Sequence, residues 1–218
     1  MWTKPYGMKE GFLIGGGLII AGLMLELSSG PVDWDAFRWP INGIVLAGVL
    51  AFIAIIFLLR ERVYGLQFIG TYKAAIPALV YAVVLTIIMG LTRQEVNGTW
   101  LNNMLSFWPF VLIYVYVAVI LGQIILRRTL HFNSWHRDIP FLLNHLGLFL
   151  ALTTATLGNA DMQRLKMITV KGEPEWRALT SQQQIVEMPI AIELKEFIME
   201  TYDDDSPRRF ASDIQILT

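Results

Sequence analysis

The sequence predicts an α-helical membrane protein: five transmembrane helices with the N-terminus inside, followed by an incomplete extracytoplasmic β-rich segment. Three observations carry this. Mean hydropathy is +0.51 and 55% of residues are hydrophobic against 16% charged, a balance foreign to a soluble domain of this length. Five apolar runs each approach the roughly 20 residues needed to cross a hydrocarbon core. After residue 160 the pattern changes from continuous apolarity to alternation, the period of a half-buried strand.

Composition also excludes. There is no cysteine, so no disulfide, CxxC pair or thiolate ligand. The net charge is -1 with no basic face, which argues against a nucleic-acid partner. No small-residue cleavage site follows the first apolar run, so it reads as a retained helix and not a removed signal.

Span one covers residues 11–27 and opens with Gly15, Gly16 and Gly17, which permit close helix approach in lipid or a loosely packed first helix. The loop 28–40 carries Trp34 and Trp39, residues suited to a membrane interface. Span two covers 41–59 and stops at Arg60-Glu61-Arg62. Span three covers 74–91, with Pro77 in its first turn, where a missing N–H costs least. The loop 92–106 holds the sequon Asn97-Gly98-Thr99, a match too short to imply use. Span four covers 107–126; Tyr114, Tyr116 and Gln123 bring polar tips that reach neighbouring helices or simply pack among them. Span five covers 139–157.

Lysine and arginine in short loops set orientation. Lys4, Lys9, Arg60, Arg62, Lys73, Arg127, Arg128 and Arg137 fall on one side, and only Arg38 and Arg93 on the other. The N-terminus is therefore expected in the cytoplasm and the C-terminus outside, with Arg164 and Lys166 mildly opposed.

Residues 161–218 hold no further span. In IVEMPIAIEL, Val186, Met188, Ile190, Ile192 and Leu194 share one face, while Pro189 points to an edge or a bulge. Phe197, Met199 and Thr201 resume the alternation after a one-residue break, Asp203-Asp204-Asp205-Ser206-Pro207 is a turn, and 212–217 is a further strand. Three or four strands in under sixty residues do not bury a core. The segment is expected to pair with something else, or to belong to a longer protein.

The residue that stands out chemically is His145. It lies six residues into span five, roughly 9 Å at 1.5 Å per residue. An ionisable group at that depth is costly and hence a functional candidate. One imidazole nitrogen is free to ligate a metal such as haem iron while the other donates a hydrogen bond; the alternative is a neutral histidine satisfied by a neighbouring helix. The residues alone do not choose. Gly147, Ala151, Thr154 and Gly158 form a small-residue seam on span five, with His145, Phe149, Leu152, Thr156 and Asn159 roughly opposite, so contact on both sides is expected. His131 and His136 flank Trp135 and read as solvated interfacial residues. There is no phosphate loop, no Ser/His/Asp set and no metal-spaced cluster, and the three consecutive aspartates read as a solvated turn. No catalytic residue is assigned.

Residues 74–218 carry a resemblance. AIPALVYAVVLTIIMGLTRQ, SFWPFVLIYVYVAVILGQIILRR and FLLNHLGLFLALTTATLGNADMQRLKM resemble the first three helices of ResB-like (CcsB) proteins, the B component of the system II cytochrome c synthetase. The tail VEMPIAIELKEFIMETYDDDSPRRFASDIQIL resembles the start of that family's extracytoplasmic domain. The resemblance implies an extra N-terminal transmembrane hairpin (1–73), a three-helix membrane core (74–160) and the start of a β-rich outer domain (161–218). It implies a multi-pass protein of the bacterial inner membrane with a periplasmic C-terminal segment. It implies delivery of haem b and its attachment to apocytochrome c, together with a CcsA-like haem-handling membrane protein. The family's transmembrane histidine maps by position onto His145, one axial ligand to haem iron, with the partner supplying the other. The outer domain stops short at Thr218 and the partner's Trp-rich motif is missing, so the chain is not expected to be catalytic alone.

Two functional classes follow: a haem-handling subunit of a cytochrome c maturation complex, or a structural membrane anchor that assembles a larger complex without a ligand of its own. A transporter fits less well, since no inverted repeat is visible.

Overall fold

A computed structural model describes residues 4–95, 98–180 and 183–217; Asn97 of the sequon and Thr218 lie outside the described residues. The chain divides into two units, Met1–Asp161 and Met162–Thr218.

The first unit is helical. Its elements are α1 (Met8–Ser29), a 3-10 turn (Trp34–Phe37), α2 (Ile41–Leu59), a short α3 (Tyr64–Ile69), α4 (Tyr72–Leu91), a 3-10 stretch (Trp100–Ser106), α5 (Trp108–Leu130), α6 (Trp135–Gly158) and a 3-10 turn (Asn159–Asp161). Helices α1, α2, α4, α5 and α6 are long and apolar enough to cross a membrane. They correspond to the five predicted spans, and α2 has the predicted bounds. The sequence reading missed α3, whose six residues are too few for a periodic signal.

Helix α5 is the hub. It packs against α1, α2, α4 and α6, and Ile113, Val117, Ala118, Ile120 and Leu121 are buried along it. The outer surfaces stay apolar, with Ile20, Met24, Ile44, Ile55, Val83 and Ile87 exposed. Contiguous apolar surface on this scale suits a membrane environment.

Close approach of α1 depends on glycine, though not on the triplet as a set. A Cβ at Gly11 would lie 2.5 Å from the Lys73 carbonyl oxygen, Gly15 lies directly against the Tyr81 ring, and Gly17 has nothing within 4 Å. Pro77 is not in the first turn of its helix, because α4 begins at Tyr72. It leaves the Lys73 carbonyl, four residues back, without its usual helical donor, and Gly11 brings α1 over that carbonyl and the proline ring.

Polar groups inside the bundle behave unevenly. Gln123, 3% exposed, donates from Nε2 to the Ile53 carbonyl of α2 at 2.7 Å. Tyr114 stacks on Phe110, with ring centroids 4.8 Å apart. The buried Tyr116 hydroxyl has no partner among the described residues, so of the two alternatives it packs among the helices without a hydrogen bond. Glu26 accepts from the Trp108 N–H at 3.1 Å and so ties α1 to the start of α5. Asp161 accepts from the Trp39 N–H and from Asn42 Nδ2, tying the end of α6 to the start of α2.

The helices run alternately, so their charged ends segregate. Arg128 pairs with Asp138, and Tyr6 packs on Tyr64 and Phe68, at the end that also holds Lys9, Arg60, Arg62, Lys73, Arg127 and Arg137. The opposite end holds Glu26, Asp33, Asp35, Glu95 and Asp161, with Arg38 and Arg93 as its cations.

The second unit is an antiparallel meander, β1 (Pro174–Leu179), β2 (Ile185–Thr201) and β3 (Pro207–Leu217), in that order across the sheet. Register sets Ile192 opposite Ile216, Leu194 opposite Ile214 and Met199 opposite Phe210. An irregularity between Leu194 and Glu196 accounts for the one-residue break in alternation. Pro189 sits where the β1 pairing is interrupted and before β3 pairing begins at Ala191, so its missing N–H interrupts no ladder bond. The aspartate turn closes with the Asp204 carboxylate accepting from the Ser206 N–H and hydroxyl.

Candidate functional site

The site is built on the basic end of α6. Asp138, fully buried, accepts the N–H groups of Asn133 and Ser134 at 2.7 and 2.9 Å and so caps the helix start. The same carboxylate pairs with Arg128 of α5 and, at 3.4 Å, with Arg137. The Arg128 guanidinium also lies 5.1 Å from the centroid of the Phe141 ring. Phe141 in turn stacks on the imidazole of His145, with centroids 3.9 Å apart and planes at 22°.

His145 is half-buried, and its Nδ1 lies 2.8 Å from the Phe141 carbonyl oxygen one helical turn back. A carbonyl only accepts, so Nδ1 carries the proton in this bond. In its neutral form the ring then presents the Nε2 lone pair, and Nε2 has no partner among the described residues. A backbone carbonyl on the far nitrogen is also how ligating histidines are commonly oriented. The ring is thus held by a hydrogen bond on one side and a stacked aromatic face on the other. It fits one axial ligand to a haem iron, and among the described residues no three His, Cys, Asp or Glu side chains gather to hold a metal.

The rest of α6 differs from the sequence reading. Phe149 and Thr153 are buried, while Gly147, Ala151, Thr154 and Gly158 are exposed. A Cβ at Gly147 or Gly158 would meet nothing within 4 Å. The expected contact on both sides is therefore reduced to one face among the described residues, because α6 lies at the periphery and packs mainly on α5 and, less, on α2. The side chain of Asn159 lies outside the described residues. The hydroxyls of Thr153, Thr154 and Thr156 donate to carbonyls one turn back within α6. His131 is exposed with Nδ1 3.0 Å from the Arg127 carbonyl, and His136 is exposed; neither lies beside His145. An apolar cavity of about 450 Å³ opens between α2, α5 and α6 near Leu46, Tyr114, Leu152 and Thr156, towards the other end of the bundle, and His145 does not line it.

The sequence reading missed Phe141 as the partner of the histidine and the Arg128–Asp138 pair behind it. The four-residue step from Phe141 to His145 was the available signal, since i and i+4 share a helix face. The Arg128–Asp138 pair needs the α5–α6 turn to be known.

Helices long enough to cross a bilayer, followed by a small sheet, define a multi-pass membrane class of protein. Residues 134–218, which take in α6 and the whole sheet, match the ResB-like family model. The C-terminal part of the chain is thus ResB-like, and the match points to a membrane subunit of cytochrome c biogenesis. It begins after α5, whereas the resemblance read from the sequence also took in α4 and α5. No curated protein and no solved structure matches the chain.

Proposed function

We propose that the protein is a membrane subunit of a system II cytochrome c maturation complex and that His145 is one axial ligand to haem b in transit through it. The observation that carries this is the Nδ1 contact to the Phe141 carbonyl, which leaves Nε2 unpartnered on a membrane-length helix within the ResB-like match. The haem is cargo, and this chain's part is to hold and orient the imidazole. A CcsA-like membrane partner supplies the second ligand and apocytochrome c receives the haem outside. The basic end of the bundle then faces the cytoplasm and the sheet faces the periplasm of a bacterial inner membrane, the arrangement favoured by its lysines and arginines.

The test is the absorption spectrum of the complex purified with its partners. His145→Ala is expected to lose the haem bands and cytochrome c maturation, and added imidazole is expected to restore part of the haem signal. Full haem and full maturation in His145→Ala would sink the ligand assignment. A second reading, a structural anchor without its own ligand, draws on the open Gly147–Ala151–Thr154–Gly158 face. It expects no haem in the wild-type complex and loss of assembly in Gly147→Leu.

A further inference from the structure

We propose that a second site, at the basic end of the bundle and separate from His145, binds the phosphate headgroup of an anionic phospholipid. A cleft of about 520 Å³ lies between the N-terminal segment, α3, the start of α4 and the end of α5. Tyr6, Tyr64, Gln67, Tyr72, Lys73 and Arg127 line it, and among the described residues no carboxylate does.

Its cations are unpaired. Lys73 and Arg127 have no ion-pair partner among the described residues, whereas the adjacent Arg128 and Arg137 are both held by Asp138. Lys4 adds a third positive charge at the rim, its ammonium 4.7 Å from the Tyr64 ring centroid. The Tyr64 hydroxyl accepts the Tyr6 N–H at 3.3 Å, which leaves its own proton free to donate. A concave wall of ammonium, guanidinium and phenol groups with no acid is the complement of a phosphate. Basic pockets between transmembrane helices recognise lipid headgroups by this chemistry.

Location selects a lipid over a soluble anion. Directly below the cleft, α4 turns an apolar face outward, with Ile76 42%, Leu79 50% and Val83 55% exposed. Tyr72, 64% exposed, stands at the boundary, where aromatic residues mark a membrane interface. A phosphate in the cleft would have its acyl chains against that face.

The full chain is reconstituted in nanodiscs of phosphatidylcholine doped with phosphatidylglycerol, and retained lipid is measured by native mass spectrometry. Wild type is expected to retain phosphatidylglycerol in preference to phosphatidylcholine. Lys73→Gln/Arg127→Gln is expected to weaken retention about 30-fold, from the removal of two interfacial charges. Lys9→Gln/Arg62→Gln, at the same end but outside the cleft, should leave retention nearly unchanged, and Lys73→Arg/Arg127→Lys should preserve it. No preference for the anionic lipid in wild type would overturn the proposal. So would equal losses in the two Gln pairs, which would mean a diffuse field. Displacement by free glycerol phosphate at matched concentration would assign the cleft to a soluble anion instead.

Discussion

Gly22 gives the sharpest test of how α1 is held. A Cβ there would sit 2.5 Å from the Pro109 nitrogen and 2.6 Å from its Cα. Both are backbone atoms, so no rotamer relieves the clash. Ordinary contact needs about 3.5 Å, so Gly22→Ala must move α1 about 1 Å from α5. That movement stretches the 3.1 Å Trp108 N–H to Glu26 bond beyond useful range. Overpacking costs about 1–3 kcal/mol and the lost hydrogen bond about 1 kcal/mol, which together give about 2–4 kcal/mol of destabilisation. Gly17, on the same helix with nothing within 4 Å, is the control. Gly17→Ala should be neutral or stabilising by about 0.5–1 kcal/mol through backbone entropy. The assay is reversible unfolding of the full chain in mixed micelles. Equal midpoints for the two variants would refute the close packing of α1 on α5.

Gln123→Leu keeps shape and leaves the Ile53 carbonyl to its own helix, so unfolding in mixed micelles should register only about 0.6 kcal/mol, a typical intramembrane hydrogen bond. Gln123→Ala also leaves a cavity and should cost about 2–4 kcal/mol; equal effects would mean that the bond and not the packing dominates. In the sheet, hydrogen bonds from Arg177, first from its guanidinium, hold the Glu175 carboxyl down at about 2. A carboxyl with a depressed folded value stabilises the fold above its unfolded value of about 4.3 and loses that contribution as pH falls towards 2. Stability of wild type relative to Glu175→Gln should therefore shrink over that window, as followed by acid titration of the full chain; parallel curves would remove the Glu175–Arg177 pair as a contributor. The loss of haem in His145→Ala and the lipid selectivity of the Lys73 and Arg127 pair complete the tests.

The spans were legible because a bilayer demands about 20 apolar residues and little else, and 41–59 met that demand without polar ends to blur it. Boundaries slipped where helices ran on into polar sequence, as α5 does through Arg127 and Arg128 and α6 does from Trp135 to Asp138. The strands were legible from alternation, and even the break before Phe197 marked a true irregularity in pairing. Partners were not legible. That Gly11 meets Lys73 and Pro77, that Tyr116 finds no acceptor among the described residues, and that Asp138 joins Arg128 depend on which helices are neighbours, which no single-helix period encodes. The small-residue seam on α6 was read correctly as a face but not as an open one, because periodicity marks which residues share a face and not what covers it.

The uneven burial of α6 bears on the haem reading. Helix α6 has few buried side chains, Asp138, Phe149 and Thr153 among the described residues, yet it carries the histidine. In hydrocarbon an imidazole nitrogen with no partner is unfavourable, since no water is there to pair with it. Rotation about the side chain does not relieve this while Nδ1 is held by Phe141 and the ring is stacked on the same residue. A purely structural histidine would be expected to turn Nε2 towards a donor on a neighbouring helix, chiefly α5 or α2. Here the ring is fixed from its own helix and Nε2 has no partner among the described residues. The exposed Gly147 and Gly158 lie on the face roughly opposite His145, where the helix backbone is open to close approach. One preoriented imidazole with an unpartnered Nε2 is half of the axial pair that the proposed haem needs, so the proposal places the other half on a partner polypeptide.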